Sequence, residues 1–237
     1  MMAAPVTRRT GQARMYEEFL AVHTIMRRGT ALVSESFERL VAGEPVDVKV
    51  LVDAARWLIE FAHRHQVSED GQFWPVLRDR FPEAVAELDR VTAEHPAIDV
   101  ELHALSRAVD AIDTPRLPGE REAVLVVVGQ AVLSGLPAVQ GVQALLARHF
   151  EEEEPVLLDL FPKVPDEDVP RLREAIVDGA PHVGPHLVFG LMEDPGPIPG
   201  YEVMTGNFPM PVRWMRPVLL ARYRAIKKAL GARDQFR

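Results

Sequence analysis

The sequence predicts an all-helical protein, with four long amphipathic helices followed by a shorter, irregular helical extension. Three observations predict it. Apolar residues recur at steps of three and four through most of the 237 residues. Proline and glycine cluster at a few points that cut the chain into helix-length segments. No segment of useful length alternates as a strand would, and no internal repeat is seen. With 47% hydrophobic and 26% charged residues, the chain has the apolar content needed to bury a core, unlike disordered sequences. Its length suits one core domain with an extension.

The first helix is expected over 15–41, where Phe19, Val22, His23, Met26, Leu32 and Phe37 share one stripe. Gly43, Glu44 and Pro45 make the turn. The second helix follows over 46–66 and continues raggedly through Phe73, Trp74 and Leu77 to Arg80. Phe81-Pro82 is a break, because proline suits a first helical turn and disfavours helix in the residue before it. A third helix runs to about Ile112. Residues 114–118 form a loop, and a fourth helix spans 120–160, with Pro137 expected to kink or split it. The main domain is thus 15–162. The extension, 163–237, is expected to hold short helices at 170–178 and 181–192, a proline- and glycine-rich loop at 194–211, and an amphipathic helix at 212–230. The basic residues of that last helix (Arg213, Arg216, Arg222, Arg224, Lys227 and Lys228) are read as a solvated face.

Composition excludes whole classes of function. A net charge of -8 lacks the basic footprint that phosphate contacts need, so no nucleic-acid partner is expected. The absence of cysteine removes disulfides, thiolate nucleophiles, iron–sulfur clusters and thiolate zinc sites. Any metal must be held by histidine and carboxylate. The N-terminus has no signal-type apolar run, and the longest apolar candidate, 123–136, is broken by Gly129, Gln130 and Gly135. No integral membrane segment and a cytoplasmic location are expected.

The informative pattern is one histidine in each long helix, His23, His65, His95 and His149, with Glu69 and Glu153 four residues after the second and fourth. That spacing places His and Glu on one helix face. An imidazole nitrogen can then end-ligate an ion while carboxylate oxygens bridge two, a donor set suited to iron, manganese or zinc. In antiparallel hairpins His23 and His65 stand level, each about 20 residues from the turn at Gly43, and His65 and His95 are level about the Phe81 turn. His95 and His149 are not: about 20 and about 33 residues from Pro115, they require a helix break at Pro137 or an overhang. A buried glutamate with no partner is costly, so two on core-facing stripes call for a cation.

These pieces resemble the hemerythrin-like HHE cation-binding domains. The resemblance rests on the lone histidine in VHTIMRRG, HQVSEDGQFWPVL with its Trp-Pro, the Glu94-His95 pair, and HFEEEEPVL, in that order over about residues 15–162. It implies an antiparallel four-helix up-and-down bundle holding two non-haem iron ions. His23, His65, His95 and His149 would be terminal ligands, and Glu69 and Glu153 the bridges. It also implies a diatomic or peroxide ligand, for binding or for sensing O2, NO, peroxide or iron. Two departures matter. Oxygen carriers of this family place a second histidine four residues after the third-helix one, where this chain has Asp99, either a weak ligand or, by preference, an acceptor for an imidazole N–H. Their last carboxylate also falls at the position of Glu154, whereas Glu153 fits an i+4 variant.

Other readings stay open on the sequence. A diiron oxidase or peroxidase acting on a small organic substrate needs a pocket larger than a diatomic. A zinc or manganese protein of the same fold, or a metal-free helical interaction module whose histidines are merely packed, are the other candidates. Phe19, Met26, Leu58, Phe61, Phe73 and Leu146 are the expected lining. His63 and His103 are read as lying outside the ligand set, His182 and His186 as surface or packing residues, and the extension as a candidate homodimer contact.

Overall fold

A computed structural model describes residues 10–113 and 121–232. Among them are helices and no strand. Helix α1 (Gly11–Val41) starts where the Thr10 hydroxyl accepts the Ala13 N–H at 3.3 Å, and it stops before Gly43, whose φ of 75° only glycine adopts without strain. Asp47 caps α2 (Val48–Ser68) by accepting the Val50 N–H at 3.1 Å.

The ragged continuation of the second helix is a single π turn, Glu69–Phe73, followed by α3 (Trp74–Arg80). The Trp74 N–H reaches the Glu69 carbonyl, five residues back. Pro75, next in line, has no N–H to restore the normal ladder. After a short 3-10 turn at Pro82–Ala84, the expected third helix is two: α4 (Val85–Thr92) and α5 (His95–Asp113). Pro96 is the physical reason, since it fits only the first turn of a helix. The new helix therefore begins at His95. The expected loop at 114–118 lies outside the described residues.

Pro137 does not split the fourth long helix. Helix α6 (Arg121–Leu160) runs through both Pro137 and Pro155. The carbonyls these prolines leave without a donor, four residues earlier, belong to Leu133 and Glu151. Both residues are exposed, so water can take the bond. The height mismatch between His95 and His149 is met by an overhang: α6 begins about ten residues farther from the histidines than α5 ends, about 15 Å of helix. Val126, Val127 and Leu133 are accordingly exposed. The stretch Val126–Lys163 is long and apolar enough, by length and composition, to cross a membrane; here its inner face carries His149, Phe150 and Glu153 into the core.

Helix α1 packs on α2 and α6, and α5 packs on the same two, so these four surround one core. The extension does not stand apart. Helix α7 (Val169–Gly179) lies on α1, α2 and the π turn, α8 (Pro185–Glu193) on α1, and α9 (Tyr201–Asn207) on α1. Leu172, Ile176, Phe189 and Met204 join the same buried cluster as Phe19 and Phe61.

Two expectations for the extension are corrected. The loop at 194–211 contains α9 and the start of α10 (Met210–Trp214), and the final helix is broken at Met215, with α11 (Arg216–Ala229) opening on Pro217. Its basic residues are also not all solvated: Arg216 binds Glu193 at 2.6 Å and Lys227 binds Asp194 at 2.5 Å.

Helix α11 seats on α8 through Gly190. A Cβ there would stand 2.0 Å from the Tyr223 ring, which is itself buried. Gly190→Ala is therefore expected to cost about 3 kcal/mol, the upper range for overpacking a filled core. Urea unfolding should show the midpoint falling with the slope unchanged.

Candidate metal centre

All six residues singled out in the sequence meet in the core. His23 comes from the middle of α1, His65 from the last turn of α2, Glu69 opens the π turn, His95 opens α5, and His149 and Glu153 lie a turn apart on α6. All six are buried. Local structure aims them: the π turn sets the direction of Glu69, and the Pro96 break puts His95 at a helix start against α2 and α6.

The side chains form two groups that share a carboxylate. In one, ligand-type atoms of His23, His65 and Glu69 lie within 4.8 Å of one another; in the other, those of Glu69, His95 and His149 do. Glu69 Oε1 is 3.0 Å from His65 Nε2, and its Oε2 is 3.6 Å from His95 Nε2. Glu153 spans the same two groups, its Oε2 3.5 Å from His23 Nε2 and 3.3 Å from His149 Nε2. His95 and His149 bring their Nε2 atoms to 3.4 Å of each other, two ring nitrogens aimed at one point.

The outer nitrogens of two of these histidines are fixed by carboxylates. His95 Nδ1 donates to Asp70 at 3.0 Å, and His23 Nδ1 donates to Glu154 at 3.0 Å. Arg27 holds Glu154 in turn at 2.7 Å. Those bonds put the proton on Nδ1 and leave the Nε2 lone pair facing inward, the usual way a protein sets a ligating imidazole. The Phe150 ring stacks on His23, centroids 3.8 Å apart.

The polar balance inside is incomplete. His23 Nε2, His65 Nε2 and all four carboxylate oxygens of Glu69 and Glu153 are buried without a properly aligned hydrogen bond, a concentration of orphans that native cores avoid. Burial, reinforced by neighbouring His65 and His149, holds the His23 imidazole well below its ordinary pKa. Burial likewise lowers His149 to about 4. Both are neutral at pH 7, with lone pairs free. Burial alone would raise Glu69, but the imidazoles of His65, His95 and His149 outweigh it and keep the carboxyl acidic. Glu153 is pushed well up, first by burial and then by the charge of Glu69. The protein alone does not support both charges, and a cation between them would. The donor set of imidazole and carboxylate fits such an ion.

Glu154, weighed from the sequence as an alternative to Glu153, points outward to Arg27 and His23. The role of imidazole acceptor considered for Asp99 is filled by Asp70, while the Asp99 carbonyl takes the His103 Nδ1–H at 2.7 Å. Sequence reasoning missed Asp70 and Arg27. The adjacency of Asp70 to Glu69 was the available signal. His63 is exposed, and His182 and His186 lie in the extension. Of the expected lining, Phe19 and Phe73 border a cavity of about 10 Å3 together with His65, Glu69, Ala175 and Ile176, which is room for one water-sized molecule. Met26, Leu58, Phe61 and Leu146 are buried in the surrounding core.

Fold and site together define a class: a helical protein with two buried histidine–carboxylate groups that could hold metal. Residues 14–164 match the family model described as Hemerythrin HHE cation binding domain, and this chain belongs to that family. No curated protein and no solved structure matches it.

Proposed function

We propose that the chain is a non-haem diiron protein whose four core helices form an antiparallel up-and-down bundle and whose function is to bind or sense a small oxidant: O2, NO or peroxide. The single observation that carries this reading is the sharing of Glu69 between two three-residue groups. On this reading His23 and His65 would hold one ion and His95 and His149 the other, with Glu69 and Glu153 as carboxylates available to both. Bound iron would supply reversible redox chemistry and a coordination position open to a ligand.

The chain's own residues do the rest. Asp70 and Glu154 keep the protons of His95 and His23 on the outer nitrogens. Phe19, Phe73 and Phe150 exclude water around the imidazoles. The cavity at Glu69, about 10 Å3, is water-sized and too small for an organic substrate, which favours binding or sensing over an oxidase of organic molecules. A metal-free interaction module leaves the orphaned carboxylates unexplained. Helix α6 carries two of the six residues in its buried face, so we read it as a core helix and the location as cytoplasmic.

The test is elemental analysis with a visible spectrum on untagged protein loaded anaerobically with ferrous ion. About two irons per chain, lost in His65→Ala and Glu153→Ala, is the expected result. Zinc or manganese in their place would change the metal and keep the site; under about half an equivalent of any metal would end the proposal. Asp70→Asn tests the outer bond separately: loss of such a partner typically weakens metal affinity about 10- to 100-fold, which competition with a chelator would measure.

A further inference from the structure

The cavity at Glu69 has a neighbour. At the junction of α1, α7 and α9 lies a pocket of about 310 Å3, walled by Val22, Ile176, Ala180, Met204 and Phe208. Ile176 lines both this pocket and the small cavity, so the two spaces share a wall residue. On the opposite wall Val22 immediately precedes His23. Helix α7, which supplies Ile176 and Ala175, lies beyond the segment 14–164 that the family model matches. It is pressed close: a Cβ on Gly179 would stand 3.3 Å from His65 Cα, and Ser68 Oγ donates to the Ala175 carbonyl at 2.7 Å.

We infer that the α7 pocket is the antechamber through which an uncharged diatomic gas reaches the centre, with the Ile176 side chain as its gate. The inference rests on the proposed function and adds the route and the residue that controls it. The wall is apolar apart from Glu18, His182 and Asn207, and the Glu18 carboxylate is already taken by Arg173 and Asn207. An apolar gas gains by entering such a space from water, whereas an anion would lose its hydration without a waiting partner. The small cavity is only about water-sized, so a diatomic enters as the Ile176 side chain shifts, which makes its position limiting. The gating motion is a rotamer change of the buried Ile176 side chain.

Two measurements test it. Crystals of the chain pressurised with xenon should show xenon in the α7 pocket, a result that needs no metal. Stopped-flow mixing of the ferrous protein with NO should show association slowed at least about tenfold in Ile176→Phe and faster in Ile176→Ala, a modest change in barrier, while the final spectrum stays that of the unaltered protein. Ala180→Phe narrows the outer pocket from a second position and should slow binding likewise, which guards against misfolding of the first variant. Unchanged rates in both phenylalanine variants, or a pocket without xenon, would overturn the route. Failure to take up iron would instead remove the proposed function, and it would be seen as absent absorbance before any rate is measured.

Discussion

Loading the chain with ferrous iron is expected to raise its melting temperature by about 8 to 16 °C over the chelated protein. At about a thousand times the dissociation constant, a ligand that binds only the folded state adds about 4 kcal/mol, and each kcal/mol is worth about 2 to 4 °C in a domain of this size. The physical source is the unfinished interior. Glu69 and Glu153 bring four carboxylate oxygens into the core with no aligned donor, and burial together with Glu69 drives the Glu153 carboxyl well above its ordinary range. Ions binding there relieve a cost the fold already bears. Glu153→Gln separates cause from coincidence: it removes the excess charge, so the chelated variant should melt no lower than the chelated parent while most of the shift on loading disappears. A shift below about 2 °C in the parent would contradict this account of the buried carboxylates.

Arg173→Ala is expected to cost about 3 kcal/mol, the lower end of what breaking a buried ion pair costs. Glu18 is fully buried on α1. Its carboxylate accepts two bonds from Arg173, at 2.6 and 2.5 Å, and one from Asn207 at 2.9 Å. Asn207 and Arg14, whose Nε donates to the same carboxylate at 3.3 Å, remain in the variant, which moderates the loss. The charge left behind is the problem, not the missing contact, so Glu18→Met with Arg173→Met should recover most of the stability. Urea midpoints of the two single variants and the double variant decide it. The same cluster joins α1, α7 and α9, so Arg173→Ala should also loosen α7 over the centre, and faster amide exchange in 169–179 than in α2 would show this.

The sequence by itself determined the helical class and singled out six residues that the fold buries together. Helix faces have a fixed period: once His65 and Glu69, or His149 and Glu153, stand four apart on a buried stripe, local geometry alone points them the same way. Pro137, by contrast, does not split α6, because the carbonyl it frees belongs to the exposed Leu133, where water can take the bond. Pro96 was underread, although its position in the first turn of α5 is what frees His95 from the helix before it.

Only the tertiary structure decided the rest. That His95 and His149 stand level depends on how far α6 overhangs α5, which no spacing along either helix records. Which carboxylate faces the imidazole cluster and which holds the back of an imidazole was settled by packing: Glu153 and Glu154 are adjacent in the chain, yet one is sealed in the core and the other meets Arg27. Asp70 reaches His95 across 25 residues because a π turn re-aims the end of α2. Nothing in the periodicity of 163–237 showed that α7 would cover Glu69. Contacts between distant segments follow from the summed packing of all the helices, and the repeat along any one of them does not contain that information.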